Sequence, residues 1–426
     1  MSHFAVVAPP YASHFQAFEA VAGALLARGH QVTFLHQVDA ARLLKDPRIG
    51  FRPLGAHSHP PGSLAPAVRL AASPSTPWRL HRLIRQMAAT SRMLCQELPA
   101  ALAEQRIDAV LCDQMEGAGG LVAQALDLPF VSLACALPIN REPGLPLPVM
   151  PFAHSDDPRS VRLYTGSARV HDWLMKPLGR VLADSARQLG LAPRSGLHEY
   201  LSPLAQVSQT LPGFDFPRRA APAHLHPVGP LRRSQQDPPG PWPISRERPF
   251  VFASLGTLQG SRFDQFREIA RACRRLDTQL LVAHCGGLDA AQQARLLEEG
   301  ATWITDFAAQ RWVLEQADAV ITHGGLNTVL DAIAAQTPML VMPIAFDQHG
   351  VAARVEHHRL GLRLSRRARQ AQIAQALQQV LSLPRQPLER LCAELAAAGG
   401  AARAADIIEA ALHGRRPVIA GTAHEA

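Results

Sequence analysis

The stretch from Ala317 to Gln348, ADAVITHGGLNTVLDAIAAQTPMLVMPIAFDQ, constrains this chain more than any other. Ala319 to Thr322 is a short β-favouring run. His323-Gly324-Gly325 follows, where glycine permits a tight turn and a close backbone approach to a ligand. Asn327 and Thr328 then fall in the first turn of an expected helix, whose unpaired N–H groups and positive dipole end favour an anion. His323 adds a ring donor at that mouth. Asp347-Gln348, just past the next apolar strand, overhangs the same carboxyl edge, where open α/β sheets bind ligands. Glycine turns of this kind also occur simply to pack helix on sheet. The added acid–amide pair is what turns the reading toward a ligand with phosphates and hydroxyls, a nucleotide-sugar.

The same plan occurs twice. One half opens with an expected strand at Phe4 to Ala8, a Pro-rich turn reaching His14, a helix from Phe15 to Ala27 and a strand at Gln31 to Leu35. The other opens with an expected strand at Phe250 to Ser254, a Gly256-Thr257 turn, a helix at Phe263 to Arg275 and a strand at Gln279 to Ala283. Strands alternating with helices imply βαβ units and parallel sheets. We therefore expect an α/β chain of two Rossmann-like domains facing across a cleft, at 1–225 and 250–400. A Pro-rich linker at 226–249 joins them, and a helix and tail follow at 401–426, disordered beyond Pro417. The segment Leu137 to Ala153, LPINREPGLPLPVMPFA, is too proline-rich for helix or central strand and is expected as a loop at the cleft mouth.

With 426 residues, 47% hydrophobic and 18% charged, the chain has ample material for two cores. Its six cysteines form no CxxC pair, so neither a disulfide framework nor a zinc site is indicated. MSHFAVVAPPY lacks a basic leader and its apolar run stops at two prolines, which is unlike a signal peptide. A cytoplasmic location is expected, with contact at the inner face of a membrane left open. The formal net charge of +8 favours anionic partners. No RNA-binding aromatic pattern or recognition helix accompanies it, which argues against nucleic acid. In WRLHRLIRQM, Leu80, Leu83, Ile84 and Met87 recur at helical spacing with arginines on other faces, a pattern that suits either packing on its own domain or lying on an anionic membrane.

For chemistry, His14 and Asp113 stand out. Each follows an expected strand of the first half and so reaches the ligand edge of one sheet. An Asp bound to one imidazole nitrogen fixes the tautomer and leaves the other nitrogen free to take a proton. Either residue alone has plainer uses, His14 as one of 19 histidines and Asp113 as a helix cap. Thr257 in SLGT could reach a diphosphate from a second side, and Phe307 with Gln310 in DFAAQ suits a base and a ribose. A nicotinamide dehydrogenase would require GxGxxG after the first strand, and PPYASH lacks it. A nucleotide-sugar epimerase would need carboxylates at the anomeric site in place of a lone His–Asp pair.

Together these residues resemble the GT-B UDP-glycosyltransferases. In that resemblance Phe307 stacks on uracil and Gln310 meets the nucleoside. His323, Gly325, Asn327 and Thr328 fall on diphosphate positions. Asp331 stands where a Glu usually binds ribose hydroxyls, and Asp347 with Gln348 falls on the pair that holds the hexose. In the first domain His14 matches the general base and Asp113 its partner. The resemblance implies an inverting, metal-independent transfer from UDP-glucose as co-substrate, with no cofactor. More narrowly, MSHFAVVAPPYASHFQAF resembles the bacterial branch that glucosylates carotenoids. That implies a lipophilic hydroxylated acceptor, zeaxanthin, converted to mono- and diglucosides. A macrolide or other lipophilic aglycone is the alternative.

Overall fold

The computed structural model describes residues 1–74, 76–233 and 237–421. Seven strands build the first sheet: β1 (His3–Val7), β2 (Gln31–Gln37), β3 (Gly50–Leu54), β4 (Ala109–Asp113), β5 (Phe130–Ala134), β6 (Gln206–Ser208) and β7 (Leu225–Pro227). Their order is β3-β2-β1-β4-β5-β6-β7. The second sheet holds β8 (Phe250–Ser254), β9 (Gln279–Ala283), β10 (Trp303–Thr305), β11 (Ala319–Thr322), β12 (Met339–Val341) and β13 (Gly361–Arg363), in the order β10-β9-β8-β11-β12-β13. Every pairing is parallel.

The central strands are apolar throughout because helices cover both faces. Phe4 and Val6 enter one core while Ala5 and Val7 enter another across the sheet. In β8 the same alternation sends Phe250 and Phe252 one way and Val251 and Ala253 the other. The order in each sheet reverses direction between its two central strands, β1 and β4 in the first and β8 and β11 in the second. Each reversal opens a crevice at the carboxyl edge.

Two expectations are corrected, and a third reading left open is decided. His14 does not precede the first helix: the helix runs Ala12–Ala27 with Tyr11 as N-cap, so His14 projects from its first turn. Residues beyond Pro417 are not all loose. Val418 donates to the Leu204 carbonyl at 2.8 Å, its own carbonyl meets His226 Nε2 at 2.9 Å, and Ala420 donates to Ala223 at 2.7 Å. The rest of that tail, 422–426, lies outside the described residues. Lastly, WRLHRLIRQM opens the helix Pro77–Glu104, and its apolar side is used internally. Ile84 joins the first domain's core, Leu83 is buried, and Leu80 and Met87 pack against that core. The side chains singled out for a membrane therefore face inward.

The two domains are fastened by a buried guanidinium. Arg354, on the helix Gln348–His357, is 1% exposed and donates through Nε to Asp215 Oδ1 at 2.7 Å, with its plane 4.1 Å over the Phe216 ring. Asp215 also accepts from Arg218 at 2.7 Å. Removing one partner of such a pair strands a charge in the interior, which costs about 3–5 kcal/mol, whereas replacing both with apolar groups is often nearly neutral. Asp215→Ala should therefore lower the unfolding free energy obtained from urea titration by about 3–5 kcal/mol. Adding Arg354→Met and Arg218→Met, so that no guanidinium is left without its carboxylate, should recover much of the loss.

Candidate active site

The turn after β1 and the carboxyl end of β4 bring His14 and Asp113 together. His14 Nδ1 lies 2.6 Å from Asp113 Oδ2, and Asp113 Oδ1 accepts the Met115 amide at 2.8 Å. The carboxylate is fully buried while the imidazole keeps 14% of its side chain exposed. The Cys135 thiol, from just past β5, lies beside Asp113, and burial together with that anion pushes the thiol pKa well up. The Nδ1, carboxylate and thiol atoms all lie within 4.8 Å of one another. Two ligands of one zinc ion stand about 3.4 Å apart in tetrahedral geometry. At 2.6 Å the His–Asp contact is thus a proton-sharing arrangement.

Burial alone would lower the His14 pKa, but the charge of Asp113, its hydrogen bond and the more distant charge of Asp347 outweigh it, and the pKa is raised. Asp347 belongs to the other domain. It follows Phe346, a non-glycine residue at φ +55°, a strained turn that aims the acid back across the cleft. Asp347 Oδ2 accepts the Leu137 amide at 3.3 Å, so the Pro-rich loop 137–153 reaches the donor side. Contact is closest at Gly350, where a Cβ would lie 2.0 Å from the Pro148 carbonyl oxygen. Burial raises the Asp347 pKa against the opposing pull of the Leu137 hydrogen bond and of His14. Gln348 uses its Oε1 to accept the Ile344 and Ala345 amides, both at 2.9 Å. Its amide nitrogen makes no hydrogen bond among the described residues.

On the second sheet, His323 sits between two glycines. A Cβ on Gly256, at φ +77°, would lie 2.5 Å from the imidazole, and one on Gly325 would lie 2.6 Å from Nε2. Burial holds the ring pKa near 4, although a hydrogen bond with the Ser254 backbone opposes the shift. The imidazole is therefore neutral near pH 7 and carries a single N–H. A diphosphate placed against it would favour the second proton. The helix Leu326–Ala334 starts at Gly325 with no side-chain cap, leaving its first amides open to an anion. Thr257 is exposed in the turn beside it.

Gln310 Nε2 donates to Asp331 Oδ2 at 2.6 Å and its Oε1 accepts from Thr328 at 3.3 Å, which joins three of the expected donor residues in one network. Phe307, at 69% exposure, presents an open ring at the end of β10. Two partners escaped the sequence reading. Arg232 pairs with Asp331 and donates to the Asn327 carbonyl. Gln209 bridges the Cys135 carbonyl and Asn327 Oδ1, the latter at 2.9 Å. Both come from the connections after β6 and β7, where no motif marks them.

Two parallel-sheet domains whose ligand edges meet around a base on one side and an anion pocket on the other define a GT-B glycosyltransferase. Residues 210–387 match the family described as UDP-glucoronosyl and UDP-glucosyl transferase. The chain is 47% identical over 428 residues to a zeaxanthin glucosyltransferase of Pantoea ananas, covering 100% of this chain and 99% of the relative. It is 48% identical over 421 residues to one of Pseudescherichia vulneris, covering 98% and 100%. Among solved structures, the calicheamicin glycosyltransferase CalG4 superposes with a TM-score of 0.74 at 22% identity, over 97% of this chain and 99% of that one. This chain belongs to the UDP-glycosyltransferase family and is an enzyme that transfers a sugar.

The fit of His323 between two glycines gives a direct check. Gly256→Ala should weaken binding of the nucleotide-sugar donor by about tenfold or more, roughly 1.4 kcal/mol, with circular dichroism unchanged, as read by calorimetry.

Proposed function

We propose that this enzyme transfers glucose from UDP-glucose to the hydroxyl groups of zeaxanthin, giving the monoglucoside and then the diglucoside. One observation carries the mechanism: His14 Nδ1 lies 2.6 Å from the buried Asp113 carboxylate, with the imidazole itself still partly exposed. The acceptor follows from relatives that match over their whole length and carry that activity in their names.

In this reading the uracil stacks on Phe307, with Gln310 beside it. Asp331 gives ribose the acceptor sites left over by Gln310 and Arg232, since a carboxylate has about four. The diphosphate lies at the amides of Gly325, Asn327 and Thr328, within reach of His323 and Thr257. Asp347 and the Gln348 amide hold the hexose hydroxyls. The acceptor hydroxyl gives its proton to His14 Nε2, since Nδ1 is committed to Asp113, and its oxygen attacks the anomeric carbon from the face opposite UDP. The C–O bond to UDP breaks as the new one forms, so configuration inverts. Charge on departing UDP is met by the helix N-terminus at Gly325, which removes the need for a metal or other cofactor. Asp113 stabilises the imidazolium.

We place the reaction in the cytoplasm, at the inner face of an anionic membrane that dissolves the acceptor. No helix among the described residues is long and apolar enough to cross a membrane. A macrolide acceptor is the second reading, favoured by 29% identity over 97% of this chain to the demethyllactenocin mycarosyltransferase of Streptomyces fradiae.

Incubation with UDP-glucose and a panel of carotenoids and macrolides should add one and then two hexoses to zeaxanthin by mass. The anomeric proton coupling should report the β configuration. Hexose appearing only on macrolides would overturn the assignment. His14→Ala should lower kcat/KM by about 10²–10⁴ without loss of UDP binding. Because His14 acts as a neutral base with a raised pKa, kcat/KM should fall as pH drops through a value above about 6.5. Asp347→Asn removes an anion that supports that shift, so its acid limb should move to lower pH.

A further inference from the structure

The helix Pro158–Gln188 has 31 residues, about 46 Å at 1.5 Å per residue. The five-residue β5 that precedes it spans only about 17 Å. Leaving β5 and returning toward β6, the helix starts at the carboxyl edge of the sheet, as does Pro77–Glu104 between β3 and β4. That edge carries His14 and Asp113. The helix projects there with little cover, since its first twenty residues bury only Tyr164.

Its outer side is strongly basic. Arg159, Arg162, Arg169, Lys176 and Arg180 fall within about 100° of helical arc, and all five are exposed. None of them forms an ion pair among the described residues, while the nearby acids are occupied. Asp157 caps the helix through the Arg159 and Ser160 amides, and Asp172 is paired with Arg141. Trp173, 63% exposed, stands inside this basic row, and Leu163 and Val170 border it, also exposed.

The neighbouring helix adds to the same strip. The two helices pack in one core with Cys95 beside the turn that carries Ser185, and both run in the same direction between parallel strands. Trp78 precedes Cys95 by as many residues as Ala168 precedes Ser185, so it stands level with the stretch from Leu163 to Trp173. Trp78 is 77% exposed and is followed by Arg79 and Arg82, exposed and likewise without an ion pair.

We propose that this strip, centred on Trp173 and the five cations and completed by Trp78, docks on an anionic lipid bilayer and seats the acceptor opening at its surface. Tryptophan rings favour the headgroup level, and clustered lysine and arginine favour anionic leaflets. This deepens the proposed function and rests on its acceptor, a polyene diol whose body lies in hydrocarbon and whose hydroxyl lies at the interface.

The test is co-sedimentation of the full chain with vesicles of phosphatidylcholine alone or mixed with phosphatidylglycerol. Binding should require the anionic lipid, fall at high salt and blue-shift tryptophan fluorescence. Arg169→Glu with Lys176→Glu should lower the bound fraction by at least about fivefold, and Trp78→Ser with Trp173→Ser should remove most of the blue shift. Transfer to zeaxanthin in detergent micelles should stay at the wild-type rate in these variants, while transfer to zeaxanthin in anionic vesicles should fall with binding. Wild-type protein that ignores anionic vesicles, variants that bind as well as wild type, or capture by RNA in place of vesicles would each overturn the docking face. Failure to glucosylate zeaxanthin in micelles would instead remove the acceptor assignment, and vesicle binding would still decide the face.

Discussion

Strand polarity is the constraint on which this molecule rests. In a sheet whose strands all run one way, every strand-to-helix turn emerges at the same edge, with its free amides and polar side chains. Two such sheets turned edge to edge therefore concentrate chemistry from distant sequence in one gap. His14 and Asp113 meet across 99 residues for this reason, and Asp347 reaches the Leu137 amide across 210. The charged partners sit in a partly buried gap, where each is felt more strongly than in water.

Much of this was legible because buried parallel strands and phosphate turns leave local signatures. The β8–helix–β9 unit has the bounds its apolar pattern indicates, with the helix at Phe263–Arg275. The HGG turn carries its own explanation, since only glycine admits the His323 ring on both sides. What sequence could not supply were contacts with no local grammar. Arg232 carries no motif, and only the fold brings its guanidinium to Asp331. Cys135 carried no motif, and its closeness to Asp113 depends on β5 lying beside β4. The helix Pro158–Gln188 announces itself poorly because so little of its first half is buried. In WRLHRLIRQM, periodicity was correctly helical, but periodicity does not say which surface the apolar side meets.

The loop 137–153 and Arg354 act on the same short helix from opposite ends. Leu137 and Pro148 press on its first turn, where Asp347 and Gln348 hold the sugar in the proposed reading, and Asp215 grips Arg354 two turns on. A residue that touches neither the nucleotide nor the acceptor thus fixes the angle at which the hexose would be offered to His14. Substitutions far from the reacting atoms can disturb geometry through this helix, and small errors in alignment are expensive in rate.

The chain also returns to where it began. After the helix Gln386–Ala397 packs on the second domain, the helix Gly400–Gly414 joins the core around Phe4 and Phe18. The outward and return passages touch: Gly400 donates to the Val228 carbonyl at 2.7 Å, and a Cβ on Gly229 would lie 2.7 Å from Ala398. Two threads crossing side by side act as a door hinge with both leaves pinned on one line. Twisting or sliding of one half against the other is resisted along that line, because two crossings must be broken together.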